Sequence, residues 1–185
     1  MEGKGSHIAV TNTLATVQIA LMIALTTVVT MTVRIPTYAG YTHLGDSMIF
    51  LAVILIGKKK AVLSAGLGMC LADILSGYLV WAPFTLVIKG SMALIAGIIA
   101  YRGKYNGDNM INNIFAFVIA GIWMIIAYYF AGAIITRFVL AQNVTFAQSL
   151  VLSLKDIPAN FVEVGVGIIL AVPLSKMIKR SGYRI

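Results

Sequence analysis

Long apolar runs separated by short polar connections set the rhythm of the chain. The first runs from about Thr13 to Val33 and closes at Arg34-Ile35-Pro36, where proline and the restriction it places on the residue before it end a helix. A second, from about Gly45 to Gly57, would rise only about 20 Å as a helix, short of the ~30 Å hydrocarbon core of a bilayer. The loop before it, Thr37 to Leu44, must supply the difference. Irregular backbone is tolerated at that depth only when buried in protein or lining a cavity, so this loop is expected to dip inward and cap a pocket; the alternative is a second helix that begins earlier, at Tyr38. Lys58 to Lys60 read as a tight connection, followed by a third helix from Ala61 to about Tyr78. Pro83 suits the first turn of a fourth, ending near Ala100. The fifth spans about Ile114 to Ile135. A mixed connection, Arg137 to Asp156, has room for a short interfacial helix and includes Gln142. The last run, Ile157 to Met177, begins with Pro158 and leads into a basic tail.

No run alternates with the two-residue period of a barrel strand, and several approach the ~20 residues of a spanning helix. The pattern predicts an all-α integral membrane protein, a six-transmembrane-helix bundle with both termini cytoplasmic. Its parts are an N-terminal tail over 1–12, a bundle over 13–178 that forms the substrate-binding domain, and a basic tail over 179–185. The opening M-E-G-K-G-S-H has the character of an appended tag, so His7 is left out of any site. The composition agrees: 60% of residues are hydrophobic and 11% charged, too oily for a soluble domain that must cover one core.

A net charge of +8 raises the question of nucleic acid, but the basic residues sit in the connections, where they orient a membrane protein. With six spans, ten lie on the side of the termini (Lys4, the Lys58–Lys60 run, Arg102, Lys104, Lys176, Lys179, Arg180 and Arg184) and three, Arg34, Arg137 and Lys155, on the other. That asymmetry makes the first side cytoplasmic. The single cysteine, Cys70, lies in an apolar run and reads as packing.

The remaining charges fall inside the apolar runs, where each costs at least ~2.5 to 3.5 kcal/mol on insertion scales and so faces protein or a watery cavity. Asp46 opens the second helix, Asp73 lies just before the outer end of the third, Lys89 lies six residues after Pro83, and Glu163 lies one to two turns into the last helix. All four belong to the outer half. Asp73 and Lys89 are each eight residues from Trp81, which predicts an ion pair between them across the hairpin. The candidate binding residues for a small polar or aromatic solute are Tyr41, His43, Asp46, Asp73, Trp81, Lys89, Tyr128, Asn160 and Glu163. For His43, Asp73 and Lys89, ligand contact and the mere fixing of helix register remain equal alternatives.

No phosphate loop, metalloprotease motif, nucleophile elbow or Cys/His cluster appears, and no relay of carboxylates crosses the membrane. The chain reads as a binder that borrows its energy, with no metal site, no cofactor and no ATPase site of its own. The rivals are a membrane enzyme, which would need catalytic groups near the cytoplasmic interface, and a stand-alone oligomeric transporter, which would carry inverted repeats.

The stretches G-Y-T-H-L-G-D-S (Gly40–Ser47), A-D-I-L-S-G-Y (Ala72–Tyr78), W-A-P-F-T-L-V-I-K-G (Trp81–Gly90) and Ile157-Pro158-Ala159-Asn160 carry a resemblance over nearly the whole chain. It resembles the substrate-binding S-component of energy-coupling factor (ECF) vitamin transporters, most closely the branch for hydroxymethylpyrimidine or pyridoxine, with riboflavin-type relatives nearby. The resemblance implies a six-helix vitamin receptor in the bacterial plasma membrane. It would dock on a transmembrane coupling subunit (EcfT-type) driven by two cytoplasmic ATPases (EcfA-type), which use the ATP. It also implies that Ala20 and Ala24 on the first helix contact the coupling subunit, and that the pocket lies near the outer face, closed by the loop after helix 1.

Overall fold

The computed structural model describes residues 2–38, 40–140 and 143–182, with the backbone alone over 2–12. Gln142 and Arg184, with the end of the basic tail, lie outside the described residues. In chain order the elements are α1 (Glu2–Thr32), β1 (Arg34–Pro36), β2 (Tyr41–His43), α2 (Gly45–Ile56), α3 (Lys58–Leu75), α4 (Ala82–Ala100), α5 (Met110–Ile135), α6 (Phe146–Ser153) and α7 (Ile157–Arg180). The chain is therefore almost wholly helical, and α1 continues back through the segment read as a tail.

Among the described residues, four helical stretches are long and apolar enough to cross a membrane: Thr13–Thr32, Ala82–Ala100, Met110–Leu140 and Phe146–Arg180. The outward faces of α1, α5 and α7 carry exposed Leu21, Leu25, Ile122, Ile126, Ile169 and Met177, an oily coat suited to lipid and costly in water. Helix α2 falls short at 12 residues, and α3 opens on three lysines. The lysines form the first turn of α3 rather than a free connection, because Gly57, at φ 80°, turns the chain in one residue where a side chain would be strained.

Helix α2 runs through the middle. Apart from Met48 its residues are buried, which accounts for an apolar sequence on every face. It packs against α1, α3, α4 and α7, and Phe50 stacks on Phe117 of α5 with ring centroids 4.3 Å apart. Three threonines of α1, Thr26, Thr27 and Thr30, face inward: Thr27 donates to the Gly68 carbonyl at 2.8 Å, and Thr30 contacts Met69 Sδ at 3.1 Å. Gly45, where the chain enters α2, lies so close to Thr30 that a Cβ would overlap its hydroxyl and come within 2.8 Å of Met69 Sδ.

The connections gather at two ends. Residues 33–38, 40–44, 76–81, 136–140 and 143–156 share one end; Gly57, the loop 101–109 and the described end of α7 share the other. At the first, the expected loop is a small antiparallel hairpin, with Arg34 opposite His43 and Pro36 opposite Tyr41. Its strands pair part of each other's backbone groups, which lowers the cost of placing so short a segment against the bundle. Between α5 and α6, a π-helical turn covers Thr136–Leu140. The short helix anticipated there is α6, opened by a capping box between Thr145 and Gln148.

Candidate functional site

The hairpin end holds a cluster of buried charges. Lys89, fully buried on α4, extends its ammonium sideways to Asp46 of α2 and Glu163 of α7, each at 2.5 Å. The expected Asp73–Lys89 pair is not formed. Equal spacing from Trp81 matches depth along one hairpin, but the lysine stem reaches across the bundle to two carboxylates instead of along the α3–α4 seam. A buried ammonium between two carboxylates is compensated far better than by one.

Asp73 has a different partner. Its Oδ1 accepts the Tyr41 hydroxyl at 2.7 Å, while its Oδ2 is buried and unpartnered. The hairpin is tied down at two further points: Thr42 Oγ1 lies 3.3 Å from Glu163 Oε2, and the Tyr38 amide donates to Asp156 at 2.9 Å. His43 Nδ1 accepts the Gly45 amide at 3.2 Å, so its 3.4 Å approach to Glu163 offers that carboxylate no proton from this nitrogen. Burial, and then the Lys89 ammonium, hold the His43 imidazole down at about 3, so the ring is neutral at physiological pH.

Above the cluster lies a cavity of about 50 Å³ lined by Tyr41, His43, Asp73, Trp81, Tyr128, Asn160 and Glu163, with Gly40, Thr85, Tyr129, Gly132, Ser153 and Asp156. Seven of the nine residues singled out from the sequence thus meet around one space. Asp46 and Lys89 sit beneath it, with Lys89 Nζ 5.2 Å from the centroid of the Tyr128 ring. Trp81 and Tyr128 lie with centroids 5.8 Å apart and their planes tilted by 49°, and Tyr41 packs on Tyr78 at 4.6 Å. Sequence reasoning missed Thr85, Tyr129, Gly132, Ser153 and Asp156. Thr85 lies one helical turn before Lys89 and shared its motif; Ser153 and Asp156 sat in a connection without periodicity.

His43, Asp46 and Glu163 offer ligand atoms within 4.8 Å of one another, a spacing a metal ion could use. The Lys89 ammonium already lies against both carboxylates, so the chain supplies its own cation there. Aromatic walls, a buried acid with a free acceptor oxygen and a half-buried amide make a receptor for a flat, hydrogen-bonding solute.

A family model described as ECF-type riboflavin transporter, S component, matches residues 10–180. The chain belongs to that family. This S component is also similar to the thiamine precursor transporter HmpT of Lactococcus lactis, 29% identical over 152 residues that make up 82% of this chain and 78% of that protein. It is 41% identical over 104 residues, 55% of this chain and 67% of the other, to an uncharacterized protein from Pyrococcus woesei. Its fold matches a solved S component of a bacterial ECF transporter with a TM-score of 0.70, at 20% identity, over 94% of this chain and 99% of that one. It is therefore a membrane-embedded vitamin-uptake subunit, of a family of transporter components rather than enzymes. Ala20 and Ala24 are exposed on α1 of this S component.

Proposed function

We propose that this S component captures a small aminopyrimidine of the hydroxymethylpyrimidine type on the outer side of the membrane. The observation that carries the reading is the buried, unpartnered Oδ2 of Asp73 in the wall of an aromatic cavity. A buried acceptor left empty costs about 1–3 kcal/mol or more, so the matching ligand brings N–H donors: the exocyclic amine and protonated ring nitrogen of an aminopyrimidine form such an edge. Three carboxylates against one ammonium around the cavity favour the same protonated ring. Trp81 and Tyr128 would cover its faces, and Asn160 would reach its hydroxyl. The relative named as a thiamine precursor transporter supports the choice. Pyridoxine fits the aromatic walls but presents fewer donors to Asp73, and the tricyclic ring of riboflavin carries no exocyclic amine to offer it.

The reading includes six spans with cytoplasmic termini, α2 and α3 being the two that the hairpin and the lysine turn disguise. Transport then requires an EcfT-type coupling subunit meeting α1 at Ala20 and Ala24, with two EcfA-type ATPases hydrolysing ATP. The host is a plasma membrane, and this chain itself needs no metal or cofactor. Ligand entry requires the hairpin to withdraw, since drug-sized ligands occupy cavities of ~300 Å³ and upward. Calorimetry on the purified protein without ATP tests the substrate: hydroxymethylpyrimidine should bind more tightly than pyridoxine and riboflavin. Riboflavin binding in the absence of pyrimidine binding would overturn the reading.

A further inference from the structure

A second cavity lies at the opposite end, unconnected with the vitamin site. It measures about 290 Å³ and is bounded by Ile54 of α2, Gly107 and Asp108 of the loop, Met110 and Asn113 of α5, and Val172 to Arg180 on α7. Its rim carries Lys176, Lys179 and Arg180 against one acid, Asp108. Lys179 pairs with Asp108 at 2.6 Å, which leaves Lys176 and Arg180 without an ion-pair partner among the described residues. They lie four residues apart, on one face of the helix.

The interior is distinctive. Asn113 is 5% exposed, and its Nδ2 donates to the Gly107 carbonyl at 2.9 Å, which fixes the direction of the amide. Its Oδ1 is then left buried with no partner. The cavity also abuts the first turn of α5, a 26-residue helix whose N-terminal dipole favours an anion, although Asn109 already caps the Asn112 amide. An anion with hydroxyl donors would satisfy both halves of the site, its phosphate against the basic rim and a hydroxyl on Asn113 Oδ1.

We propose that this cavity holds the headgroup of an acidic phospholipid, a phosphoglycerol diester, in the leaflet on the side of the termini. Ile54, Met110 and Val172 line the cavity with hydrocarbon, and Met110 is half exposed at its edge, an apolar surface that a free phosphate would not use. Basic pockets between helices on the cytoplasmic side bind such lipids by the same electrostatics.

The test is competition between phosphatidylglycerol and phosphatidylcholine for delipidated full-length protein, read by native mass spectrometry. Phosphatidylglycerol should be retained about thirtyfold over phosphatidylcholine, the advantage two interfacial basic side chains provide. In the double variant Lys176→Gln/Arg180→Gln, both positions being exposed, the ratio should fall toward one with vitamin binding intact. In Asp108→Asn, which releases Lys179, it should rise. Equal retention of the two lipids by the unaltered protein, or a falling ratio in Asp108→Asn, overturns the proposal. Displacement of the lipid by millimolar glycerol 3-phosphate would overturn the lipid as the source of the phosphate.

Discussion

Lys89 Nζ and Glu163 Oε1 meet at 2.5 Å across the interior, from helices 74 residues apart in sequence. With Asp46 on the other side of the ammonium, they tie α2, α4 and α7 together beneath the cavity at the hairpin end. Lys89→Met removes the one cation and leaves two facing carboxylates buried. The expected loss is about 3–5 kcal/mol, seen as a lower melting midpoint in detergent. Adding Asp46→Asn and Glu163→Gln should recover much of it, because neutral amides can coexist where two anions cannot.

Asp73→Asn bears on recognition more than on stability. The Tyr41 hydroxyl keeps an acceptor in the amide oxygen, whereas the free acceptor offered to the ligand becomes a donor. Pyrimidine affinity should fall at least about tenfold, as for loss of one charge-assisted hydrogen bond, with a small change in melting temperature. Calorimetry and thermal unfolding on the same sample separate the two effects.

Gly45→Ala places a methyl group against Thr30 and Met69. Overpacking of this kind costs about 1–3 kcal/mol. A Gly45→Ala/Thr30→Ala variant, which removes the overlapping hydroxyl, should melt above the single variant.

Ala20→Trp or Ala24→Trp alters an exposed face of α1 far from the cavity. Vitamin binding by the isolated protein should remain, while uptake by cells supplying the coupling module should be lost. Joint loss of binding and uptake would assign these alanines to folding instead.

His43 gives the pH dependence a sign. Its imidazole titrates below its usual value in the folded chain, so the unfolded chain takes up a proton first as pH falls. Its contribution to stability is complete above about pH 6.5 and is lost as pH falls toward 3, by up to ~1.4 kcal/mol per pH unit. His43→Gln should flatten that part of the stability profile.

Much of this was legible in the chain. The shortfall of α2 announced an inserted loop, and intramembrane polar residues marked the walls of one cavity, because both follow from the length and oiliness of a bilayer. The hairpin was not legible: Arg34-Ile35-Pro36 and Tyr41-Thr42-His43 are too short to display alternation. Nor was the partner of Lys89, since spacing along a hairpin measures depth but not the sideways direction of a long side chain. Ser153 and Asp156 enter the site through the route of the chain between α5 and α7, for which local sequence carries no periodic signal.

The β1–β2 hairpin rests on the rest of the molecule through Tyr38, Tyr41 and Thr42, each holding a polar group, whereas the other half is interlocked by Phe50, Phe117 and their oily neighbours. The two halves therefore differ in stiffness. Polar ties can be exchanged one at a time for water or for a guest, but interdigitated hydrocarbon yields only all together. The receptor can open its mouth without loosening its root.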